Sequence, residues 1–255
     1  MSYLNIKGKK VHVIELNPRG EKTIIMIHGL FTNLSVYLYV AAPILAKSHR
    51  VILYDLRSHG LSERRDEGYT IEILADDLLA LMDAMKIERA GFVGYSYGGT
   101  VSLYTALLHP ERVERLALIE TPLLNERLNG RLFSEGIEAS MFAEGLKGYS
   151  RSTGIRLSSA RMAAIEARYS CLFENDLLSN AFKSDANLFD SAPIERLPVP
   201  VLLLYGKRSE HRFTGQALER RIARSKLYVA RGDHNLPVQR PRWLAHRLKP
   251  FFRQR

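Results

Sequence analysis

The chain has 255 residues, 46% of them hydrophobic, with 37 Lys/Arg against 27 Asp/Glu and a single cysteine, Cys171. That length supports one large domain, or one domain carrying an insertion, with a sizeable buried core. One cysteine excludes an internal disulfide framework and suits a reducing compartment.

No apolar run is long enough to span a bilayer, so no membrane association is expected. Met1-Ser2-Tyr3-Leu4-Asn5 carries neither a basic leader nor a cleavage site, and a cytoplasmic location is the expectation. Clustered Cys and His at ligand spacing are missing, so no structural zinc site is expected. Charge is uneven: residues 196–255 hold 15 Lys/Arg against 3 Asp/Glu, and residues 1–195 hold 22 against 24. Such a basic surface serves solubility, or docks an acidic partner such as an acyl carrier protein. Nucleic acid is not expected, since no recognised module surrounds the arginines.

In chain order, Val11–Leu16 reads as a strand closed by Asn17-Pro18-Arg19-Gly20, and Thr23–His28 as a more apolar strand, buried on both faces. A helix over Ser35–Ala46, a strand over Arg50–Asp55 and a polar loop to Ser62 follow. A helix over Thr70–Lys86, with Thr70 as N-cap, has apolar residues at helical spacing. The apolar run to Tyr95 then enters Gly94-Tyr95-Ser96-Tyr97-Gly98, with a helical pattern over Val101–His109 beyond it. This is the strand–turn–helix setting of a nucleophile elbow, which exposes Ser96 Oγ at the tip of a tight turn.

Leu116–Glu120 is a further strand, and the alternation predicts a mostly parallel sheet flanked by helices. From residue 121 to 192 no convincing strand occurs. Helical patterns over Ser158–Phe173 and Leu177–Phe189, with Gly145, Gly148 and Gly154 as breaks, suggest a helical cap inserted into a core of residues 1–120 and 193–255. The strand rhythm resumes at Pro200–Gly206, followed by a helix over Thr214–Ala223, a strand over Lys226–Ala230 and a closing helix over Pro241–Phe252.

A serine hydroxyl needs an adjacent base that is itself held by an acid. His234, in the loop between the last strand and the last helix, is the candidate base, lying where parallel sheets bind ligands. The other histidines read as structural, His12 and His49 beside strands and His109, His211 and His246 at helix ends or on solvated faces. The backbone N–H groups of Tyr97 and Leu30 are candidate oxyanion donors, with Phe31 the weaker alternative to Leu30.

His28-Gly29-Leu30-Phe31, Asp55-x-Arg57-Ser58-His59-Gly60-x-Ser62, Gly94-Tyr95-Ser96-Tyr97-Gly98-Gly99 and Gly232-x-His234 together resemble the α/β-hydrolase superfamily, nearest to small bacterial esterases and thioesterases. The resemblance covers nearly the whole chain outside the cap. It implies an α/β-hydrolase fold and a cofactor-free, metal-free serine hydrolase acting on an ester, thioester or lactone. Relatives with an aspartate nucleophile are disfavoured by Ser96.

The commonest family position for the triad acid, three residues beyond Gly206, is Ser209 here. Glu120, at the end of the strand after the elbow helix, and Glu210 are the substitutes. Glu120 is favoured because some branches, including zearalenone-type lactone hydrolases, are similar in taking their acid from that strand end. Phe31 and Tyr95 are candidate substrate contacts, and Tyr97, Phe133, Met141, Phe142 and Phe173 candidate linings of an acyl pocket. A C–C bond hydrolase, a perhydrolase and a non-catalytic binding module are the alternatives to be weighed.

Overall fold

In the computed structural model, residues 2–65, 67–123, 139–190 and 192–253 are described. Eight strands form one sheet: β1 (Ser2–Ile6), β2 (Lys9–Leu16), β3 (Thr23–Ile27), β4 (Arg50–Tyr54), β5 (Ala90–Tyr95), β6 (Val113–Ile119), β7 (Val201–Gly206) and β8 (Ser225–Ala230). Their spatial order is β1-β2-β4-β3-β5-β6-β7-β8. The pairs β1/β2 and β2/β4 are antiparallel and all the others parallel.

The helices are α1 (Ser35–Leu38), α2 (Ala41–Ala46), α3 (Ile71–Ala84), α4 (Tyr97–Leu108), α5 (Ala139–Thr153), α6 (Ser159–Tyr169), α7 (Leu177–Asp185), α8 (Arg212–Arg221), α9 (Leu236–Gln239) and α10 (Pro241–Arg253). The strands β3, β5 and β7 are buried at every position, as strands covered on both faces must be. Two apolar clusters flank the sheet. One contains Phe92, Val101 and Leu116 with Leu74, Leu78 and Leu81 of α3, and the other Val93, Ala117 and Leu204 with Leu244, Leu248 and Phe252 of α10.

Thr70 caps α3, its side chain accepting from the Ile73 N–H. The expected single helix over Ser35–Ala46 is two short helices, interrupted at Tyr39 and Val40. Gly145 and Gly148, expected as breaks, lie inside α5, where a Cβ would meet nothing within 4 Å, so solvent-facing positions tolerate them. Gly154 ends that helix at φ +74°.

Between residues 121 and 192 the described residues contain helices and short 3-10 turns and no strand. Phe142, Leu146, Tyr169, Leu172 and Phe182 of this stretch join the same apolar cluster as β5 and α3. Polar contacts tie it to the core. The Arg168 guanidinium donates to the carbonyls of Gly60 and Ser62, and the Tyr169 hydroxyl to the Thr32 carbonyl at 2.9 Å. Asp185 Oδ2 accepts from the Ile71 N–H at 2.9 Å, at the start of α3.

Candidate active site

Strand order builds the site. Since β5, β6 and β7 are neighbours and Tyr95 pairs with Ile119, the next residues along, Ser96 and Glu120, emerge side by side at the carboxyl edge. The Ser96 N–H donates to the Ile119 carbonyl at 2.8 Å, and the Glu120 N–H to the Leu204 carbonyl at 3.0 Å. Ser96 sits at φ 51°, ψ −122°, a conformation that costs a non-glycine residue about 1–3 kcal/mol. Phe31 and Glu120 share a positive φ, at 58° and 51°.

The turn works because strand and helix nearly touch. A Cβ at Gly94 would lie 2.5 Å from the Gly98 carbonyl oxygen, and one at Gly98 2.5 Å from that of Ile27. Any side chain at either position would force the two elements apart.

His234 reaches Ser96, with Nε2 3.0 Å from Oγ. Its Nδ1 lies 3.8 Å from Glu120 Oε2 and has no hydrogen-bond partner among the described residues. That separation exceeds a hydrogen bond, and a movement below about 1 Å closes it. Glu120 is fully buried. Oε1 accepts from the Gly206 N–H and Oε2 from the Ser209 hydroxyl, which leaves the carboxylate fixed from both sides. Burial alone would lower the His234 pKa; the contact with Glu120 and the negative charges of Glu210, Glu120 and Asp233 outweigh it and raise the group above its ordinary 6.5.

Glu210, the other candidate acid, projects away with its side chain 55% exposed and Oε1 3.6 Å from His211 Nε2. His211 is at a helix end, as the N-cap of α8, and not on a solvated face. It is buried, its ring 4.8 Å from that of His234, and burial together with the nearby His234 lowers its pKa to about 3.

Of the candidate oxyanion donors, the Phe31 N–H is already used, donating to His59 Nε2 at 3.0 Å. Among the described residues no protein acceptor is paired with the Leu30 or Tyr97 N–H. A Cβ on Gly29 would lie 3.0 Å from that of Ser96, so this loop runs directly beside the serine. His28 and His59 hold it from behind. His28 Nδ1 donates to the Gly29 carbonyl at 2.8 Å and Nε2 accepts from the Leu56 N–H at 3.0 Å; burial lowers the pKa of both rings. Asp55 ties this loop to the one after β4, accepting from the Leu34 and Leu61 N–H groups and contacting His12 Nδ1 at 2.7 Å.

Phe31 stacks in an aromatic group with Phe142, Tyr169 and Phe173, at ring separations of 4.2, 5.6 and 5.6 Å. Tyr95 is elsewhere: its ring lies under His234 and its hydroxyl donates to the His234 carbonyl at 3.0 Å, so it buttresses the histidine loop. The Tyr97 hydroxyl lies 3.2 Å from the Tyr69 carbonyl and 3.3 Å from Asp185 Oδ2. Phe133 and the Met141 side chain lie outside the described residues.

The profile of the family described as "alpha/beta hydrolase fold" matches residues 22–151. The chain belongs to that family, as its sheet order and elbow geometry imply. It is 40% identical over 99 residues to the 2-hydroxymuconate semialdehyde hydrolase of Pseudomonas sp. (strain CF600), covering 38% of this chain and 35% of that one. It is 34% identical over 117 residues to the esterase YbfF of Escherichia coli (strain K12), covering 46% and 44%. The chain thus spans less than half the length of the curated relatives it matches. Among solved structures it is similar to the enol-lactonase from Burkholderia xenovorans LB400, with a TM-score of 0.76, 25% identity and coverage of 99% of this chain and 100% of that one.

Proposed function

We propose that the protein is a serine hydrolase that cleaves a carboxylic ester, thioester or lactone through an acyl-enzyme. The observation that carries this reading is the 3.0 Å contact between His234 Nε2 and Ser96 Oγ, with the Glu120 carboxylate on the far side of the same ring. Ser96 Oγ attacks the carbonyl carbon while Nε2 takes its proton. The tetrahedral oxyanion lies between the N–H groups of Tyr97 and Leu30, and each such donor is typically worth about 2.7–4 kcal/mol of transition-state stabilisation. Collapse expels the alcohol, thiol or tethered alkoxide, which receives the proton from His234. A water deprotonated by the same nitrogen then releases the acid. Glu120 holds Nδ1–H toward itself and stabilises the imidazolium.

The helices from residue 121 to 192 act as the cap, and Phe31, Phe142, Tyr169 and Phe173 form the apolar wall that receives the acyl group. The scheme itself calls for no metal or organic cofactor. Hydrolysis of a carbon–carbon bond on the same residues is the second reading, favoured by the similarity to 2-hydroxymuconate semialdehyde hydrolase. The basic C-terminal stretch would suit an acidic acyl carrier protein as substrate donor, and no helix among the described residues is long and apolar enough to cross a membrane.

Stopped-flow turnover of p-nitrophenyl butyrate tests the reading. The expected result is a burst of p-nitrophenol from the wild type that is abolished in Ser96→Ala with the fold intact by circular dichroism. A folded wild type without burst or turnover on short and long acyl esters, yet cleaving a ring-fission dienoate, would establish the carbon–carbon reading instead.

A further inference from the structure

Beside the serine, His234 belongs to a second group of side chains, whose other two members the proposed hydrolysis does not use. A carboxylate oxygen of Glu210, a ring nitrogen of His211 and one of His234 all lie within 4.8 Å of one another. Two histidines and a glutamate are a donor set suited to zinc, which takes imidazole nitrogens and carboxylate oxygens at about 2.0–2.2 Å. Tetrahedral coordination at such lengths places ligand atoms roughly 3.4 Å apart, so a modest contraction assembles the set. His211 Nε2 and Glu210 Oε1 are already 3.6 Å apart. The member with most freedom is the right one, since the Glu210 side chain is 55% exposed, and the His234 side chain is 27% exposed, which leaves an entry path from solvent.

We propose that Glu210, His211 and His234 form a binding site for a first-row divalent cation, zinc in particular, whose occupancy withdraws the His234 imidazole from Ser96 and so switches the enzyme off. The sequence hides this site because His211 and His234 stand 23 positions apart on two different loops. The loops after β7 and β8 bring them together, and Lys207 reinforces that contact by donating its N–H to the Ala230 carbonyl at 2.7 Å. Copper(II) would bind the same donors more tightly, following the usual affinity order.

Metal binding stands on geometry alone, whereas the inhibitory consequence rests on His234 as the general base. The two are therefore measured separately. Isothermal titration calorimetry with zinc chloride in a non-chelating buffer at pH 7.5 reads the first, on the wild type and on His211→Phe, which keeps an aromatic ring against His234, and Glu210→Gln. One-to-one binding weakened at least about tenfold in each variant supports the site. Heat absent from the wild type, or binding of equal strength in both variants, overturns it.

Esterase turnover across the same zinc range reads the second. Loss of turnover with the calorimetric midpoint, reversed by EDTA and shifted in both variants, supports the switch, while full turnover in saturating zinc overturns it. Calorimetric binding by a protein that hydrolyses no ester would support the site and count against the hydrolase reading.

Discussion

The Ser209 hydroxyl donates to Oε2 of the buried Glu120 carboxylate, across the boundary between β6 and β7. Ser209 stands at the position from which the family resemblance would take the triad acid, and here its hydroxyl supports Glu120, the acid proposed above, from the neighbouring strand. The same hydroxyl oxygen accepts the His211 N–H at 3.0 Å, which fixes its orientation. Ser209→Ala removes one of two donors to a buried carboxylate, a loss worth about 1–2 kcal/mol. Steady-state kinetics on p-nitrophenyl butyrate should show kcat reduced roughly tenfold with KM little changed.

The two glutamates should separate cleanly. Glu120→Gln keeps shape but removes the charge facing His234 Nδ1, and turnover should fall at least about a hundredfold. Glu210→Gln, at an exposed side chain in contact with His211, should stay within a few fold of the wild type. The reverse ranking would move the acid to Glu210.

The pH profile follows from His234. A base must be unprotonated to act, and this imidazole binds its proton more tightly than a free one because Glu120, Glu210 and Asp233 outweigh burial. The acid limb of kcat/KM should therefore lie above pH 6.5, with activity lost as pH falls through it. In Glu120→Gln the limb should move to lower pH while the plateau drops.

Asp185 should give the fold its own pH dependence. It faces the Ile71 N–H and Tyr97 hydroxyl, with Glu72 nearby, and burial raises its pKa from 3.8 to about 6. The folded state holds the proton more tightly than the unfolded one. This contribution is thus complete below about pH 4 and is lost as pH rises through about 6. Thermal unfolding of Asp185→Asn should show a flatter dependence of Tm on pH across that window.

The aromatic wall sets the last expectation. Phe173 stacks on Phe31 with its ring 5.6 Å away, and Phe173→Ala opens that space. Each added methylene buried there is worth about 0.8 kcal/mol. The ratio of kcat/KM for p-nitrophenyl octanoate over butyrate should rise several fold.

The parallel core was legible because β3, β5 and β7 are short, continuous apolar runs, and the elbow because close packing leaves Gly94 and Gly98 no alternative. β1 was not: Ser2–Ile6 is an antiparallel edge strand, largely exposed, with little apolar pattern to announce it. Helix α5 was hidden by glycines that its solvent-facing side accommodates. The pairing of Ser209 with Glu120 and the contact of His211 with His234 were invisible for a different reason. Local pattern places a residue at the end of a strand, but which strand ends meet depends on the order β5-β6-β7-β8, and that is a property of the whole sheet. The same limit applies to Tyr95, whose position beside Ser96 suggested substrate contact and whose ring instead supports the histidine.

The loop carrying His234 is held from two directions. Beneath it the Tyr95 hydroxyl grips the His234 carbonyl, and above it Asn235 Nδ2 and Gln239 Nε2 donate to the hydroxyl and carbonyl of Ser152, at 2.7 and 3.0 Å, near the end of α5. The end of α5 and the loop carrying His234 are thus bonded to each other directly. A displacement of α5 would therefore break the upper pair of bonds and leave the His234 loop held only from the Tyr95 side.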